Sequence, residues 1–309
     1  IINEVDIETY LCYVVPSEMP ESYGLEALKA QAVCARSYAC RQISGNAYSE
    51  YGAHVDDTTN FQVYNNTETD ELTRQAVKET EGQVLSYGGG LITAYYYATS
   101  SGYGNDMSVW GGNGGEAPYL RRIYMSEGEA PDLSSEAAFR EYLGKSDSGN
   151  LEYGMPWYRW ETTVTLERLT ERMDSFLSGY AKTHSELVRF QAADGSFQAA
   201  SGQTTVGAVR SVTVQARASS GMAELLLVEG TEGTVQIVRS GPIRAFLGDV
   251  DYIYTKQDGT TSDGRTILPS ASFWLEELKD GENLTGYLLH GGGYGHGVGM
   301  SQTGASALA

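Results

Sequence analysis

The feature that most restricts the fold is one long segment with a helical hydrophobic period. Within "LEALKAQAVCARSYACRQI" an apolar residue recurs every three or four positions, at Leu25, Leu28, Ala32, Ala35, Ala39 and Ile43. This spacing places the apolar side chains on one face of an α-helix. We therefore predict a helix over residues 22–43, which Gly45-Asn46 ends.

Three further helices are predicted, over residues 69–80, 134–143 and 166–177. Asn66 or Thr67 is the expected N-cap of the first of these helices, and Thr165 begins the last.

The remaining segments predict strands. Residues 1–16 are expected to form a strand or an extended segment that ends at Pro16. Glycines 88–90 separate two apolar runs and predict a β-hairpin, and a strand is predicted near 157–164. The alternating segments of residues 205–240 predict an antiparallel meander.

Helices and strands are intermixed without regular β-α-β alternation. This order predicts an α+β fold with mixed antiparallel sheets rather than a doubly wound sheet. We expect residues 1–125 and 240–309 to form a core, with residues 126–239 as an inserted or second α+β subdomain.

The chain is strongly acidic. Its 309 residues include 21 Lys and Arg but 40 Asp and Glu, for a net charge of −19. Nucleic acids are bound mainly by cationic side chains, so this charge excludes DNA and RNA as partners. No apolar run is long enough to span a bilayer, and the first residues lack the basic start of a signal peptide. We expect either an excised domain of a longer protein, which we favour, or a cytosolic protein.

Two of the histidines lie in a glycine-rich segment near the C-terminus. The sequence "HGGGYGHGVGMSQTGAS" contains so many glycines that its backbone can approach a ligand closely. The spacing of His290 and His296 matches no standard zinc signature, and the three cysteines cannot all pair within one chain. We therefore predict no metal, no cofactor and no disulfide scaffold.

One glutamate is distinguished by its neighbours. Glu18 lies between Pro16 and Pro20, just ahead of the long predicted helix. Proline on both sides favours a stiff, extended backbone that would aim one carboxyl group into a cleft; the alternative is a solvated turn residue. Lys29 and Arg36 lie on one face of the predicted helix, where they either contact anions or face water.

Blocks of this sequence resemble the stage II sporulation protein D family of lytic transglycosylases. The segment "YLCYVVPSEMPESYGLEALKAQAVCARSYA" is similar to the N-terminal signature of that family, and "HGGGYGHGVGMSQTGA" is similar to its C-terminal motif. Between them, "AYYYATSSGYGND" and then "GPIRAFLG" with "LPSASF" resemble weaker family blocks in the expected order. Residues 120–240 match only in general character.

The resemblance implies a catalytic cleft lined by the long helix, with Glu18 as the catalytic acid/base. The implied substrate-binding residues come from three segments: Lys29, Gln31 and Arg36; Ser100 and Gly102; and His296, Met300, Ser301 and Gln302. Aromatic side chains in glycine-rich loops are candidate platforms for sugar rings, namely Tyr103, Trp110, Tyr119 and Tyr294.

The implied reaction needs one carboxyl group. Ordinary glycosidases use two, whereas a lytic transglycosylase uses one group to protonate the glycosidic oxygen and then to deprotonate the 6-hydroxyl of the muramic acid, which closes a 1,6-anhydro ring. We predict cleavage of the MurNAc-GlcNAc bond in peptidoglycan strands, preferably strands without acidic stem peptides. Partial burial should raise the pKa of Glu18, and a stem-peptide amidase is a plausible partner.

Departures from the family pattern leave two alternatives. Tyr97 stands where many members have His, and Ser101 replaces a usual Gly. Some members have a Cys-His zinc site after the long helix, where this chain has His54 without a cysteine, so we predict no such site here. A catalytically inactive peptidoglycan-binding protein is the first alternative. The second is a metal-dependent amidase that uses His290 and His296.

Overall fold

The computed structural model describes residues 2–45, 47–58, 61–66, 69–112, 115, 117–145, 147–200 and 202–309. Its α-helices are α1 (Ile7–Glu18), α2 (Leu25–Ile43), α3 (Glu71–Glu79), α4 (Glu136–Gly144), α5 (Leu166–Ser178), α6 (Tyr180–Thr183), α7 (Ser240–Leu247) and α8 (Gln302–Leu308). Short 3-10 helices span Glu21–Tyr23, Ser49–Tyr51, Met107–Trp110, Pro156–Tyr158 and Ser185–Leu187.

The strands are mostly in the second half of the chain. They are β1 (Ser86–Tyr87), β2 (Gly90–Leu91), β3 (Tyr96–Tyr97), β4 (Trp160–Thr165), β5 (Val188–Gln191), β6 (Phe197–Ala199), β7 (Val209–Arg217), β8 (Ala223–Gly230), β9 (Thr234–Val238), β10 (Asp249–Lys256), β11 (Thr261–Arg265), β12 (Phe273–Asp280), β13 (Asn283–Gly291) and β14 (Met300–Ser301). The predicted mixture of helices and antiparallel sheets is confirmed.

The chain divides into two compact units. Unit 1 comprises residues 1–98 and 299–309, and unit 2 comprises residues 99–298. These boundaries differ from the predicted ones at 125/126 and 239/240. The reason is that β4, from the segment predicted to be separate, pairs with both β10 and β13. Residues 126–239 therefore share a sheet with the segment that follows them.

Unit 1 is built on three helices. Helices α1, α2 and α3 pack around a core that includes Leu11, Val14, Val15, Leu28, Ala32 and Val77. The predicted helix over 22–43 is observed as α2, which follows the 3-10 turn Glu21–Tyr23. The predicted hairpin is limited to Ser86↔Leu91 and Tyr87↔Gly90. Strand β3 pairs in parallel with β14 instead.

Two local predictions in unit 1 were wrong. Residues 7–18 form a helix rather than an extended segment, because Asp6 caps its first turn and apolar residues at helical spacing are buried. Tertiary packing of this face outweighs the missing N–H of Pro16. The N-cap of α3 is Asp70, whose carboxyl accepts hydrogen bonds from the backbone N and Oγ1 of Thr73. Asn66 is not the cap, and Thr67 lies outside the described residues.

Unit 2 contains two five-stranded antiparallel sheets. One has the order β11-β10-β4-β13-β12, and the other has the order β6-β5-β9-β8-β7. The meander predicted for residues 205–240 is observed as β7, β8 and β9. The helices predicted at 134–143 and 166–177 are α4 and α5, and Thr165 caps α5 as expected. The core of the unit includes Trp160, Phe176, Leu226, Ile237, Phe246 and Leu289.

Candidate active site

Glu18 is the last residue of α1. The Oε1 atom of its half-buried carboxyl group accepts a hydrogen bond of 2.8 Å from the backbone N of Val63 and one of 3.2 Å from the hydroxyl of Tyr96. Every hydrogen bond from a described residue to this carboxyl goes to Oε1. Oε2 therefore has no hydrogen bond from a described residue.

The backbone around Glu18 is not the extended one predicted from its flanking prolines. Pro16 lies inside α1, and the chain becomes extended only at Met19, the C-cap. The direction of the carboxyl is instead set by the end of α1 and by the segment around Val63. This segment is also tied to α1 by the 3.1 Å hydrogen bond from the backbone N of Asn65 to Ser17 Oγ.

The surroundings of Glu18 favour its protonated form. Burial raises the pKa of the carboxyl, while the hydrogen bonds from Val63 and Tyr96 lower it to a smaller extent. Desolvation disfavours the charged form of a carboxyl group, and hydrogen bonds to the carboxylate favour it. The net pKa is raised, as a group that donates a proton near neutral pH requires.

Lys29 and Arg36 make ion pairs with protein carboxylates. Lys29 Nζ lies 2.9 Å from Glu26 and 3.3 Å from Glu79. The buried guanidinium of Arg36 binds both carboxyl oxygens of Glu8, at 2.9 and 2.6 Å. These pairs connect α2 with α1 and α3.

The predicted residues of the C-terminal motif lie beside α2 in unit 1. Gln302 Nε2 donates to Oε1 of the fully buried Gln31 at 3.4 Å, and Met300 Sδ accepts from Cys34 Sγ at 3.8 Å. Ser301 caps α8 by accepting from the backbone N of Gly304. The structure therefore brings Gln31, Met300 and Gln302 together.

Ser100 and Gly102 lie in a buried polar cluster of unit 2. The Ser100 hydroxyl donates to a carboxyl oxygen of Glu152 and accepts from the backbone N of Gly102 at 3.0 Å. Glu152 also accepts from the backbone N of Ser100 at 3.2 Å and is fully buried. Sequence reasoning missed Glu152, because nothing in the sequence around it distinguishes it from the other carboxylates.

The candidate aromatic platforms differ in exposure. Tyr103 is buried against Tyr124, with ring centroids 5.6 Å apart. Tyr119, Trp110 and Tyr294 are half-buried. The Trp110 ring lies 5.0 Å from the ring of His296, and the Tyr294 ring lies 4.8 Å from that of Trp157.

His290 is held by two carboxylates rather than aimed at a ligand. Its Nδ1 lies 2.7 Å from Glu161 Oε1 and its Nε2 lies 2.7 Å from Glu276 Oε2, while its ring stacks on Trp274. Both ring nitrogens are therefore engaged on the sheet surface. Within the described ranges, no three His, Cys, Asp or Glu side chains are grouped so that they could hold a metal ion. This geometry does not favour the amidase alternative.

Comparison with known proteins identifies the family. Residues 1–87, which include Glu18 and α1 to α3, match the family model described as stage II sporulation protein. The amidase enhancer of Bacillus subtilis (strain 168) is 30% identical over 298 residues, which are 96% of this chain. The N-terminal part of the chain, residues 1–87, therefore belongs to the stage II sporulation protein family. Residues 105–299, nearly all of unit 2, match a domain of unknown function, DUF8618.

Relatives that bear the family name match shorter regions. Stage II sporulation protein D of Bacillus subtilis (strain 168) is 34% identical over 175 residues, half of this chain and half of that protein. The protein of the same name from Bacillus amyloliquefaciens is 32% identical over 136 residues, or 40% of this chain and 39% of that protein. The chain covers only 37% of the amidase enhancer, so it spans half or less of the length of each of these relatives.

The two departures from the family pattern are buried. Tyr97 lies in β3 beside Ser301 of β14, and Ser101 belongs to the turn that precedes Gly102.

None of the helices in the described part of the chain combines the length and the apolar character that a bilayer span requires.

Proposed function

We propose that this chain is a lytic transglycosylase that cleaves the MurNAc-GlcNAc bond of peptidoglycan and leaves 1,6-anhydro-MurNAc ends. The observation that carries the proposal is the asymmetry of the Glu18 carboxyl. One of its oxygens is held by two donors, the other has no hydrogen bond from a described residue, and burial raises the pKa of the group. A carboxyl group in this state is a general acid.

In the first step, Glu18 Oε2 donates its proton to the oxygen that links the two sugars. The bond between this oxygen and C1 of the muramic acid breaks, and positive charge develops at C1 and the ring oxygen. The resulting Glu18 carboxylate remains bonded to the backbone N of Val63 and to the Tyr96 hydroxyl. Both donors stabilise the charge that forms on the carboxylate.

In the second step, the same carboxylate acts as a base. It removes the proton of the 6-hydroxyl of the muramic acid, and the sugar oxygen attacks C1 of the same residue. The proton returns to Glu18, and the new bond closes the 1,6-anhydro ring without water. Because the nucleophile belongs to the substrate, its high effective concentration replaces a second catalytic carboxylate. Among the described residues, no other carboxylate contributes to the pKa shift of Glu18.

The remaining site residues are assigned within each unit. In unit 1, Gln31, Met300, Ser301 and Gln302 are proposed to bind substrate, whereas Lys29 and Arg36 support the helices through their ion pairs. In unit 2, we propose that Trp110, Tyr294 and His296 contact sugar rings through half-exposed aromatic surfaces. Ser100 and Gly102 form the polar turn that Glu152 holds in place.

The relatives' names suggest the biological setting. Relatives named for sporulation and for amidase enhancement support a role in sporulation-related wall remodelling outside the cytoplasm. We propose a stem-peptide amidase as a partner, since removal of acidic stems would yield the denuded strands that an acidic protein approaches without repulsion. An anchor upstream of Ile1 would hold the protein at the membrane.

A second candidate is a peptidoglycan-binding protein that stimulates an amidase and does not cleave glycan. The name of the amidase enhancer favours this alternative. The two candidates differ in whether Glu18 is needed for chemistry. A binding protein has no use for a carboxyl group whose protonated form is stabilised.

Purified denuded glycan strands test the proposal. We expect the wild-type chain to release anhydro-muramic ends that mass spectrometry detects, and Glu18→Gln to lose about 100-fold or more of this rate, the usual contribution of an acid/base group. Glu21→Gln is the matched control, because Glu21 is exposed three residues further along the chain. Full activity of Glu18→Gln would refute the proposal. Strand binding by a wild-type protein that releases no anhydro ends would favour the binding alternative.

A further inference from the structure

Glu18 stands at the end of an ordered chain of hydrogen bonds within unit 1. We infer that Tyr96, oriented by Gln62, is a positioning residue that holds Oε1 of Glu18 as the acceptor and so assigns the transferable proton to Oε2. This inference rests on the proposed function. It adds two residues that neither the sequence motifs nor the family comparison assign to the site.

The contacts define the chain of hydrogen bonds from one end to the other. The Tyr10 hydroxyl donates to Gln62 Oε1 at 3.3 Å. Gln62 Nε2 donates to the Tyr96 hydroxyl at 3.0 Å and to the backbone O of Ala35 at 3.3 Å. The Tyr96 hydroxyl then donates to Glu18 Oε1 at 3.2 Å.

The donor directions leave one consistent arrangement. The amide of Gln62 is almost completely buried. Its NH2 group, and not its oxygen, can donate to the carbonyl of Ala35. A flipped amide would turn the Gln62 oxygen toward the Ala35 carbonyl, which is repulsive. With Nε2 fixed, the Tyr96 oxygen accepts from Gln62, so the Tyr96 proton points to Glu18.

Tyr96 keeps that proton under all assay conditions. Although part of its ring is exposed, burial of its hydroxyl and the nearby Glu18 raise the pKa of Tyr96 well above its usual range. A raised pKa favours the neutral phenol, which donates this hydrogen bond. Its hydrogen bond stabilises the Glu18 carboxylate more than the carboxylic acid and so lowers the pKa of Glu18, whereas burial raises this pKa.

The C-terminal motif fixes the backbone of Tyr96. Strand β14 pairs Met300 with Tyr96, and the backbone N of Met300 donates to Tyr95 O at 3.0 Å. Gly299 has φ +86°, and a Cβ at this position would collide with the carbonyl of Tyr95. The close approach that only glycine permits thus connects the motif to Glu18 through Tyr96.

Direct titration of Glu18 tests the inference. The carboxyl-carbon NMR signal of Glu18, assigned by its loss in Glu18→Gln, is followed against pH in the wild type and in Tyr96→Phe. Removing the donor should move the titration of Glu18 to higher pH. Gln62→Met should shift it in the same direction, and serves as a second variant if Tyr96→Phe folds poorly. Tyr38→Phe is the control, since it removes another largely buried hydroxyl that has no hydrogen bond to Glu18 among the described contacts.

Glycan cleavage gives the second readout. In Tyr96→Phe the alkaline limb of the kcat/KM profile should move to higher pH, and the maximal rate should fall about tenfold, the value of one hydrogen bond to a charged group. The inference would be overturned if both Tyr96→Phe and Gln62→Met left the Glu18 titration and the alkaline limb of the kcat/KM profile unchanged. If Glu18→Gln kept full activity, the proposed function would fail instead, while the titration would still decide whether Tyr96 positions Glu18.

Discussion

The pair of Arg36 and Glu8 gives a prediction that separates support of the fold from substrate binding. The Arg36 side chain is only 2% exposed, whereas that of Glu8 is 26% exposed. Besides Glu8, the guanidinium binds the backbone O of Gln83 at 3.1 Å and that of Val77 at 3.4 Å. All of these partners belong to the protein.

The unequal burial of the two charges sets the magnitudes. Arg36→Met removes the buried charge and leaves a carboxylate that water can reach, so it should cost about 1.5–3 kcal/mol, the range for hydrogen bonds to a charged group. Glu8→Gln leaves a buried guanidinium without a counter-charge and should cost about 3–5 kcal/mol. Glu8→Gln is thus expected to be the more harmful change, although Glu8 is the more exposed residue.

Urea unfolding followed by circular dichroism measures both losses, with Arg41→Met as the control because Arg41 lies exposed on the same helix. The double variant gives the coupling energy of the pair. The residual glycan cleavage of folded Arg36→Met is measured in parallel and should stay within a factor of a few of the wild type. Unchanged stability with lost cleavage would make Arg36 a substrate ligand and refute this reasoning.

Three further predictions concern Glu18 and the turn around Ser100. Because burial raises the pKa of Glu18, its contribution to stability is full at acid pH and is lost as the pH rises through the folded-state pKa. Glu18→Gln should therefore raise the Tm at pH 8 relative to the wild type but not at pH 4. Glu152→Ala should cost about 3 kcal/mol in urea unfolding, since the buried N–H and hydroxyl of Ser100 lose their acceptor. Gly102→Ala should cost at least about 2 kcal/mol, because φ is +98° and a Cβ would lie 2.8 Å from Asn150 Nδ2. Gly149→Ala, where the nearest atom is 3.6 Å away, should change the free energy of unfolding by less than about 0.5 kcal/mol.

Elements with a clear hydrophobic period were predictable from the sequence. In helix α2 and in the meander β7 to β9, the spacing of apolar residues in the sequence agrees with the secondary structure observed. Helix α1 was missed because Pro16 argued against it, whereas burial of Leu11, Val14 and Val15 decides the conformation. The predicted boundaries differ from those of the two compact units because the pairing of β4 with β10 and β13 joins strands about 90–130 residues apart, and long-range pairing leaves no local pattern.

The candidate site likewise contains residues that the sequence predicted and residues that it did not. Glu18 was identified from a motif, and its partial burial agrees with the expectation of a raised pKa. Its partners Tyr96 and Gln62 were not identified. Tyr96 lies in a family block, but its contact with Glu18 exists only when β3 and the segment around Val63 reach the end of α1. The motif marks the proposed catalytic group, and only the tertiary structure reveals the residues proposed to orient it.

The origin of the oxygen at the new chain end tests the central claim most directly. Denuded glycan is digested by the wild-type chain in water enriched in heavy oxygen, and the released ends are analysed by mass spectrometry. If Glu18 alone carries the reaction and the sugar's own 6-hydroxyl is the nucleophile, the MurNAc ends will be 1,6-anhydro rings that contain no heavy oxygen. Reducing MurNAc ends that carry heavy oxygen would show that water is the attacking group and would contradict the account.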